Sequence, residues 1–219
     1  MGVLILLRHG ETEWSAGGRH TGRTDIPLTA RGEAQAAAFA PALAAWNIRA
    51  VVTSPAERAI RTAKLAGLGD AEQDSDLWEW DYGSCEGKTT EQIRAKWPGW
   101  YLWRDGVLRG DAEHPGETVQ EVGARADAVL GRVRPLLGQN AARGADHGGG
   151  DVVLVAHGHV LRVLTARWLG LEPSAGRMFR LDTGTLSTLA YEHGYPVITG
   201  WNIFPSGNRA PCRQGNSKP

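Results

Sequence analysis

Val3-Leu4-Ile5-Leu6-Leu7-Arg8-His9-Gly10-Glu11-Thr12 opens with five consecutive aliphatic residues and stops at an arginine, a histidine and a glycine. Apolarity without alternation fits a strand buried on both faces, as in a parallel sheet, and Gly10 permits the turn that ends it. Open α/β sheets bind ligands beyond the carboxyl ends of their strands. Arg8 and His9 fall at such an end and are placed as reactive groups; the alternative is two polar residues that merely face water. The pattern recurs in Asp151-Val152-Val153-Leu154-Val155-Ala156, apolar after its first residue and closed by His157-Gly158-His159.

Between these strands the chain keeps a β-α-β-α rhythm. Residues 13–27 are rich in Gly, Thr and charge and read as a loop, after which Thr29 N-caps an alanine-rich helix that Pro41 should interrupt. Residues 50–53 read as a strand, with Ser54 as N-cap and Pro55 at the first position of the next helix. On that helix Arg58 and Arg61 are three apart and share a face, either as anion ligands or as a solvated basic face. Residues 77–87 form an aromatic and acidic loop, followed by a helix over 89–96. Trp97, Trp100 and Trp103 recur every third residue, along one face of a helical turn if Pro98 and Gly99 allow one. A satellite core is the favoured reading of the three, and a pocket roof shared with Trp78 and Trp80 is the other. The longest helical signal covers 117–137, with Pro135 loosening its last turn. Residues 139–150 read as a mobile Gly/Ala-rich linker whose Gly-Gly-Gly is no phosphate loop, since no Gly-Lys-Ser/Thr follows. A helix over 160–169 and strands over 185–191 and 197–203 complete the sheet. No internal repeat is visible, so one α/β domain over 1–204 accounts for the chain, with 205–219, rich in Pro, Gly and Asn, as a disordered tail.

Composition excludes several classes of function. At 219 residues, 42% apolar and 22% charged, the chain is an ordinary globule able to bury about 70% of its unfolded surface. Its 24 basic residues balance 24 acidic ones, so no overall field draws it to nucleic acid or anionic lipid, and any anion site is local. Cys85 and Cys212 make neither a disulfide framework nor a metal-ligand spacing, which points to a reducing compartment. No signal peptide opens the sequence, and no segment approaches the roughly 20 apolar residues that span a bilayer. The expected location is the cytoplasm, away from membranes.

Two buried strands ending in Arg8-His9 and His157, with Arg58 near a helix start, assemble two arginines and two histidines. Guanidinium forks match phosphate oxygens and helix N-terminal amides add an anion site, so the chemistry suggested is phosphoryl transfer. A histidine among cations stays neutral at pH 7 and keeps a ring nitrogen free to attack phosphorus. Glu79, crowded by Trp78, Trp80 and Tyr82, is the best candidate to protonate the leaving oxygen, because apolar surroundings raise a carboxyl pKa.

Leu7-Arg8-His9-Gly10-Glu11-Thr12 resembles the signature of the histidine phosphatase superfamily, in its phosphoglycerate-mutase-like branch. Further pieces follow in family order: Thr21-Gly22, Pro27-Leu28-Thr29, Ser54-Pro55 with Arg58-Ala59 and Thr62-Ala63, Glu79 with Tyr82-Gly83 and Glu86-Gly87, Gly116-Glu117-Thr118, and Val155-Ala156-His157-Gly158. The resemblance covers residues 3 to about 203 and implies a three-layer α/β/α sandwich around a mostly parallel sheet. It implies that His9 becomes phosphohistidine, that Arg8, Arg58 and His157 bind the phosphoryl oxygens, and that Glu79 is general acid and then base. Thr21, Gly22, Tyr82 and the Gly158 amide would line the phosphate and substrate pocket. Ser15 stands where the family usually has a phosphate-binding asparagine. His159 stands where mutases tend to have asparagine, and it either touches substrate or caps the helix.

Family mutases carry Glu-Arg-His-Tyr-Gly in the acid loop and a later arginine pair, whereas this chain has Glu79-Trp80-Asp81-Tyr82-Gly83 and only the separated Arg104 and Arg109. Fewer cations should hold a bisphosphate poorly and let water finish the reaction. The wording around Trp80 and Trp103 looks like acid-phosphatase and sugar-bisphosphatase members. The expected function is therefore a phosphomonoesterase acting on a small-molecule phosphate ester, with no cofactor, no metal, no nucleic acid and no membrane partner; a homodimer is admitted. Three other readings are kept: a cofactor-dependent phosphoglycerate mutase, a metallohydrolase ligated by His157, His159 and His9, and a non-catalytic binding module on the same fold.

Overall fold

The computed structural model describes residues 1–138 and 149–205. The linker read over 139–150 and the tail read from 205, with Cys212 in it, lie outside the described residues except at 149, 150 and 205. In chain order the elements are β1 (Leu4–Arg8), α1 (Glu13–Ala16), α2 (Ala30–Ala37), α3 (Ala40–Leu43), β2 (Ile48–Thr53), α4 (Glu57–Leu65) and β3 (Glu72–Gln73). Then follow α5 (Thr90–Lys96), α6 (Leu102–Asp105), α7 (Val119–Val133), β4 (Asp151–Ala156), α8 (Gly158–Trp168), β5 (Leu186–Glu192) and β6 (Tyr195–Ile203).

Six strands form one sheet in the order β3-β2-β4-β1-β5-β6. The first four are parallel, β5 runs antiparallel to β1, and β6 runs antiparallel to β5. β1 and β4 sit side by side at the centre, with Arg8 opposite Ala156 at their carboxyl ends. Burial on both faces explains the missing alternation. Leu4 and Leu6 enter the core shared with α7 and α8, and Ile5 and Leu7 enter the one shared with Phe39, α3 and α4. Helices thus cover both faces, giving the three layers expected.

Local signals set most boundaries. Thr29, Thr89 and Thr118 each N-cap the helix that follows, and the last two close a reciprocal box with Gln92 and Glu121. Pro41 separates α2 from α3, and Pro135 turns the end of α7 into a 3₁₀ segment, Arg134–Leu137. Residues 13–27 are not all loop, because Thr12 and Ser15 cap each other and fold α1. Gly10 serves through its size. A Cβ there would lie 2.2 Å from the Gly32 carbonyl oxygen, so α2 packs directly on the turn after β1. The three tryptophans do not share a helical face: α5 ends at Lys96, Trp97 is exposed, and Trp100 and Trp103 are buried beyond the Pro98-Gly99 break.

Candidate active site

The carboxyl end of β1 carries Arg8 and His9. A carbonyl only accepts, so the 2.7 Å contact between His9 Nδ1 and the Gly10 oxygen places the proton on Nδ1 and leaves Nε2 with its lone pair. Burial holds this imidazole well below its ordinary range, reinforced by the charges of Arg58 and Arg8. Arg8 donates from Nη1 to the Leu181 carbonyl, while its buried Nε has no partner among the described residues. Gly158 makes room for it, since a Cβ there would come within 3.0 Å of Arg8 Cζ.

Behind His9 lies His157, its ring centroid 5.1 Å away and tilted by 63°. Arg58 Nε donates to His157 Nδ1 at 3.2 Å, so the His157 proton sits on Nε2 and goes to Ser54 Oγ at 2.7 Å. Burial and the charge of Arg58 keep this ring neutral too, its pKa far below the usual value. Arg58 is fully buried and also donates to the Gly22 and Thr24 carbonyls, both at 2.9 Å. Glu86 takes the amides of the same loop, Gly22 at 2.9 Å and Thr24 at 3.2 Å. Asp25, next in that loop, accepts the Glu57 amide at 2.9 Å and supplies the cap that Ala56 cannot give α4.

Glu79 faces the start of α8. Its Oε1 accepts from the Trp80 amide at 2.9 Å and the Val160 amide at 2.8 Å, and its Oε2 accepts from the His159 amide at 2.9 Å. His159 Nδ1 stands 2.6 Å from the Tyr82 hydroxyl. Arg8, His9, Ser15, Thr21, Glu79, Tyr82 and His159 line one cavity of about 470 Å³, walled by Trp100, Tyr101 and Trp103. His20 lines it as well, donating from Nδ1 to the Lys88 carbonyl at 2.9 Å and so keeping Nε2 as an acceptor.

The family model described as histidine phosphatase superfamily (branch 1) matches residues 4–203. The chain belongs to that superfamily. An acid phosphatase of Mycobacterium tuberculosis is 40% identical over 193 residues, covering 87% of each protein. A Cronobacter sakazakii protein named probable phosphoglycerate mutase is 32% identical over 211 residues, covering 94% of this chain and 92% of its own. The solved structure of a Mycobacterium tuberculosis open-reading-frame product superposes with a TM-score of 0.82 at 36% identity, covering 93% of this chain and 98% of that one.

In this histidine phosphatase several expectations need correction. The surroundings of Glu79 are not simply apolar, because three backbone amides converge on its carboxylate. Ser54 does not cap α4; the helix starts at Glu57 after Ala56, and the serine hydroxyl meets His157 instead. Arg61 does not join Arg58 inside: it is exposed and paired with Glu33 at 2.9 Å. Ser15 lines the cavity with its hydroxyl donating to the Thr12 carbonyl at 3.0 Å, whereas Gly22, Arg58, His157 and Gly158 stand outside the lining, the Gly22 amide being committed to Glu86. Trp80 is buried behind the cavity, with its indole N–H on the Glu117 carbonyl at 2.8 Å. The histidines of the metallohydrolase reading do not converge, since His157 faces Arg58 and Ser54 while His159 faces Tyr82.

The cation count also differs from expectation. Arg104 pairs with Asp105 at the surface and Arg109 lies off the cavity, yet Arg19, Arg94 and Arg162 line it. Of these, Arg162 was within reach of sequence reasoning: it follows His159 by three residues on α8 and therefore shares its face. Among the described residues no helix is long and apolar enough to cross a membrane.

Proposed function

We propose that this protein is a phosphomonoesterase that cleaves small phosphate esters through a phosphohistidine on His9. The observation that carries the reading is His9 Nε2, unprotonated beside two arginines and lining one cavity with Glu79. Arg8 and Arg58 hold the phosphoryl oxygens, and His157 is kept between Arg58 and Ser54 to face the same group. His9 Nε2 forms a bond to phosphorus as the ester P–O bond breaks, and the departing oxygen takes its proton from Glu79. The Glu79 carboxylate then takes a proton from water, whose oxygen attacks phosphorus and returns His9 to its starting state.

Hydrolysis is favoured over phosphoryl return by the 40% likeness to an acid phosphatase, against 32% to a protein named probable mutase. The reading includes Thr21, Tyr82 and His159 as substrate contacts, one catalytic domain over 1–204, no requirement for metal, and a cytoplasmic location suited to the free thiol of Cys85. Rapid quenching with labelled substrate in excess chelator should trap an acid-labile, base-stable phosphoenzyme that His9→Ala abolishes. Wild-type turnover in His9→Ala would end the proposal. Efficient turnover of 3-phosphoglycerate in the presence of bisphosphoglycerate would instead make the protein a mutase.

A further inference from the structure

Gly116-Glu117-Thr118 lies outside the lining of the active-site cavity, and the reaction uses none of its groups. The loop that bears Glu79 nonetheless rests on Glu117. Its Oε2 accepts the Asp81 amide at 2.8 Å, its carbonyl accepts the Trp80 indole N–H at 2.8 Å, and its own amide donates to the Asp81 carbonyl at 3.0 Å. Gly116 permits so close an approach: it holds a φ of 88°, and a Cβ on Gly83 would lie 3.2 Å from its Cα.

Arg125, on α7, completes the arrangement. Its fork is bidentate on Glu117, Nε to Oε1 at 2.9 Å and Nη2 to Oε2 at 3.0 Å, while Nη1 donates to the Asp76 and Trp78 carbonyls at 2.7 and 2.5 Å. The two side chains are largely buried, with 10% and 17% of their surface exposed. One ion pair thus holds the peptide group that enters Glu79, through the Trp78 oxygen, and the one that leaves Trp80, through the Asp81 nitrogen. Between them the Trp80 amide donates to Glu79 Oε1, so the carboxylate hangs on main chain that is clamped from both sides. Arg23 also reaches Glu117 Oε1, at 3.6 Å, from between the two residues whose carbonyls accept Arg58. Arg132, further along α7, pairs with Asp74 and Asp76 at 2.6 Å, but it is exposed, where such pairs hold little.

We infer that Arg125 is a positioning residue: acting through Glu117 and the main chain on either side of Glu79, it sets the Glu79 carboxyl against the leaving oxygen from outside the cavity. The inference rests on the reading of Glu79 as proton donor. A guanidinium is needed rather than any cation, because its planar fork engages a carboxylate and two carbonyls at once, and a point-like ammonium has no such spread. A misplacement of about 1 Å at a reacting group costs on the order of a hundredfold in rate, so a brace remote from the chemistry is felt there.

Leaving groups separate positioning from mere stability. In kcat/KM, Arg125→Met should lose about ten- to a hundredfold on glycerol phosphate and less than about threefold on nitrophenyl phosphate, whose leaving group needs no proton. In a Glu79→Gln background the same change should cost the alkyl ester nothing further, since the proton is already gone. Removing one partner of a buried pair strands the other, whereas removing both is often neutral, so Arg125→Met combined with Glu117→Gln should fold and show the same selective loss. Arg125→Lys keeps the buried charge without the fork and should show a smaller loss of the same kind. Arg132→Gln, at the exposed pair, should change neither rate. No loss, equal losses on the two esters, full additivity with Glu79→Gln, or the same selective loss in Arg132→Gln would overturn the inference. If neither ester is hydrolysed, or if Glu79→Gln alone slows both equally, the catalytic reading falls separately. Hydrogen exchange at the Trp80, His159 and Val160 amides, the three that hold the Glu79 carboxylate, then judges Arg125. They should lose protection in Arg125→Met with Glu117→Gln while amides later in α8 keep theirs, and unchanged protection would overturn the inference.

Discussion

Glu79 lines the cavity from within a ring of donors. Three amides fix its carboxylate, so its position is set by the start of α8 rather than by its own rotamers. Glu79→Gln keeps the shape, turns one of those contacts from attractive to repulsive, and removes the transferable proton. An alkoxide needs that proton far more than a nitrophenolate does. In kcat/KM the variant should therefore lose about a hundred- to ten-thousandfold on alkyl phosphates and much less on nitrophenyl phosphate. Equal losses on both in single turnover would reduce Glu79 to a positioning residue. Asp81 is a poor substitute, because it stands outside the cavity lining, its Oδ1 accepting the Gly83 amide at 2.9 Å. Arg8, His9 and His157 were legible in the sequence because each closes a wholly apolar strand. The separate fates of Arg58 and Arg61 were not, since spacing on a helix gives a shared face but not which tertiary neighbours wait there.

α4 depends on a loop more than thirty residues upstream. Ala56 cannot cap it, so the Asp25 carboxylate bonds the Glu57 amide, while Arg58 from the same turn reaches back to the Gly22 and Thr24 carbonyls. Asp25→Ala should cost about 0.5–2 kcal/mol in urea unfolding, the worth of an N-cap, and should raise KM more than it lowers kcat by loosening the loop that bears Thr21. An unchanged midpoint together with an unchanged KM would show that the loop stands without it. Helices with a threonine cap in sequence, α2, α5 and α7, were readable from local signals alone. α4 was readable as a helix but not in how it starts, and α1 was hidden in a glycine-rich stretch whose only cue is the Thr12/Ser15 pair.

Across the whole molecule, burial of neutral histidines ties stability to pH. His9, His157 and His159 all have pKa values pushed well below 6.5 by desolvation, helped by neighbouring cations. The unfolded chain therefore binds more protons between those depressed values and about 6.5. Their contribution to stability is complete above pH 6.5 and is lost as pH falls toward the folded values, at up to about 1.4 kcal/mol per unit for each ring. Urea midpoints should fall steadily from pH 6.5 to 5; a flat or rising profile would mean that these rings accept protons without unfolding. The α/β class and the central strands were legible because double burial leaves an unbroken apolar run. The cavity's outer wall was not, since it gathers side chains from segments distant in sequence: Arg19 and His20, Trp100 to Trp103, and Arg162.

Arg8 and His9 are also the earliest part of the site to be synthesised and the last to be completed. β1 ends at residue 8, yet its two neighbours in the sheet are β4, at residues 151–156, and β5, at residues 186–192. At cellular rates of synthesis the ribosome works for roughly ten to forty seconds after making His9 before both flanks exist. Through that interval an apolar strand with two open edges depends on whatever shields nascent chains. Arrested or prematurely terminated translation products carry the signature motif with no sheet around it, and are catalytically silent.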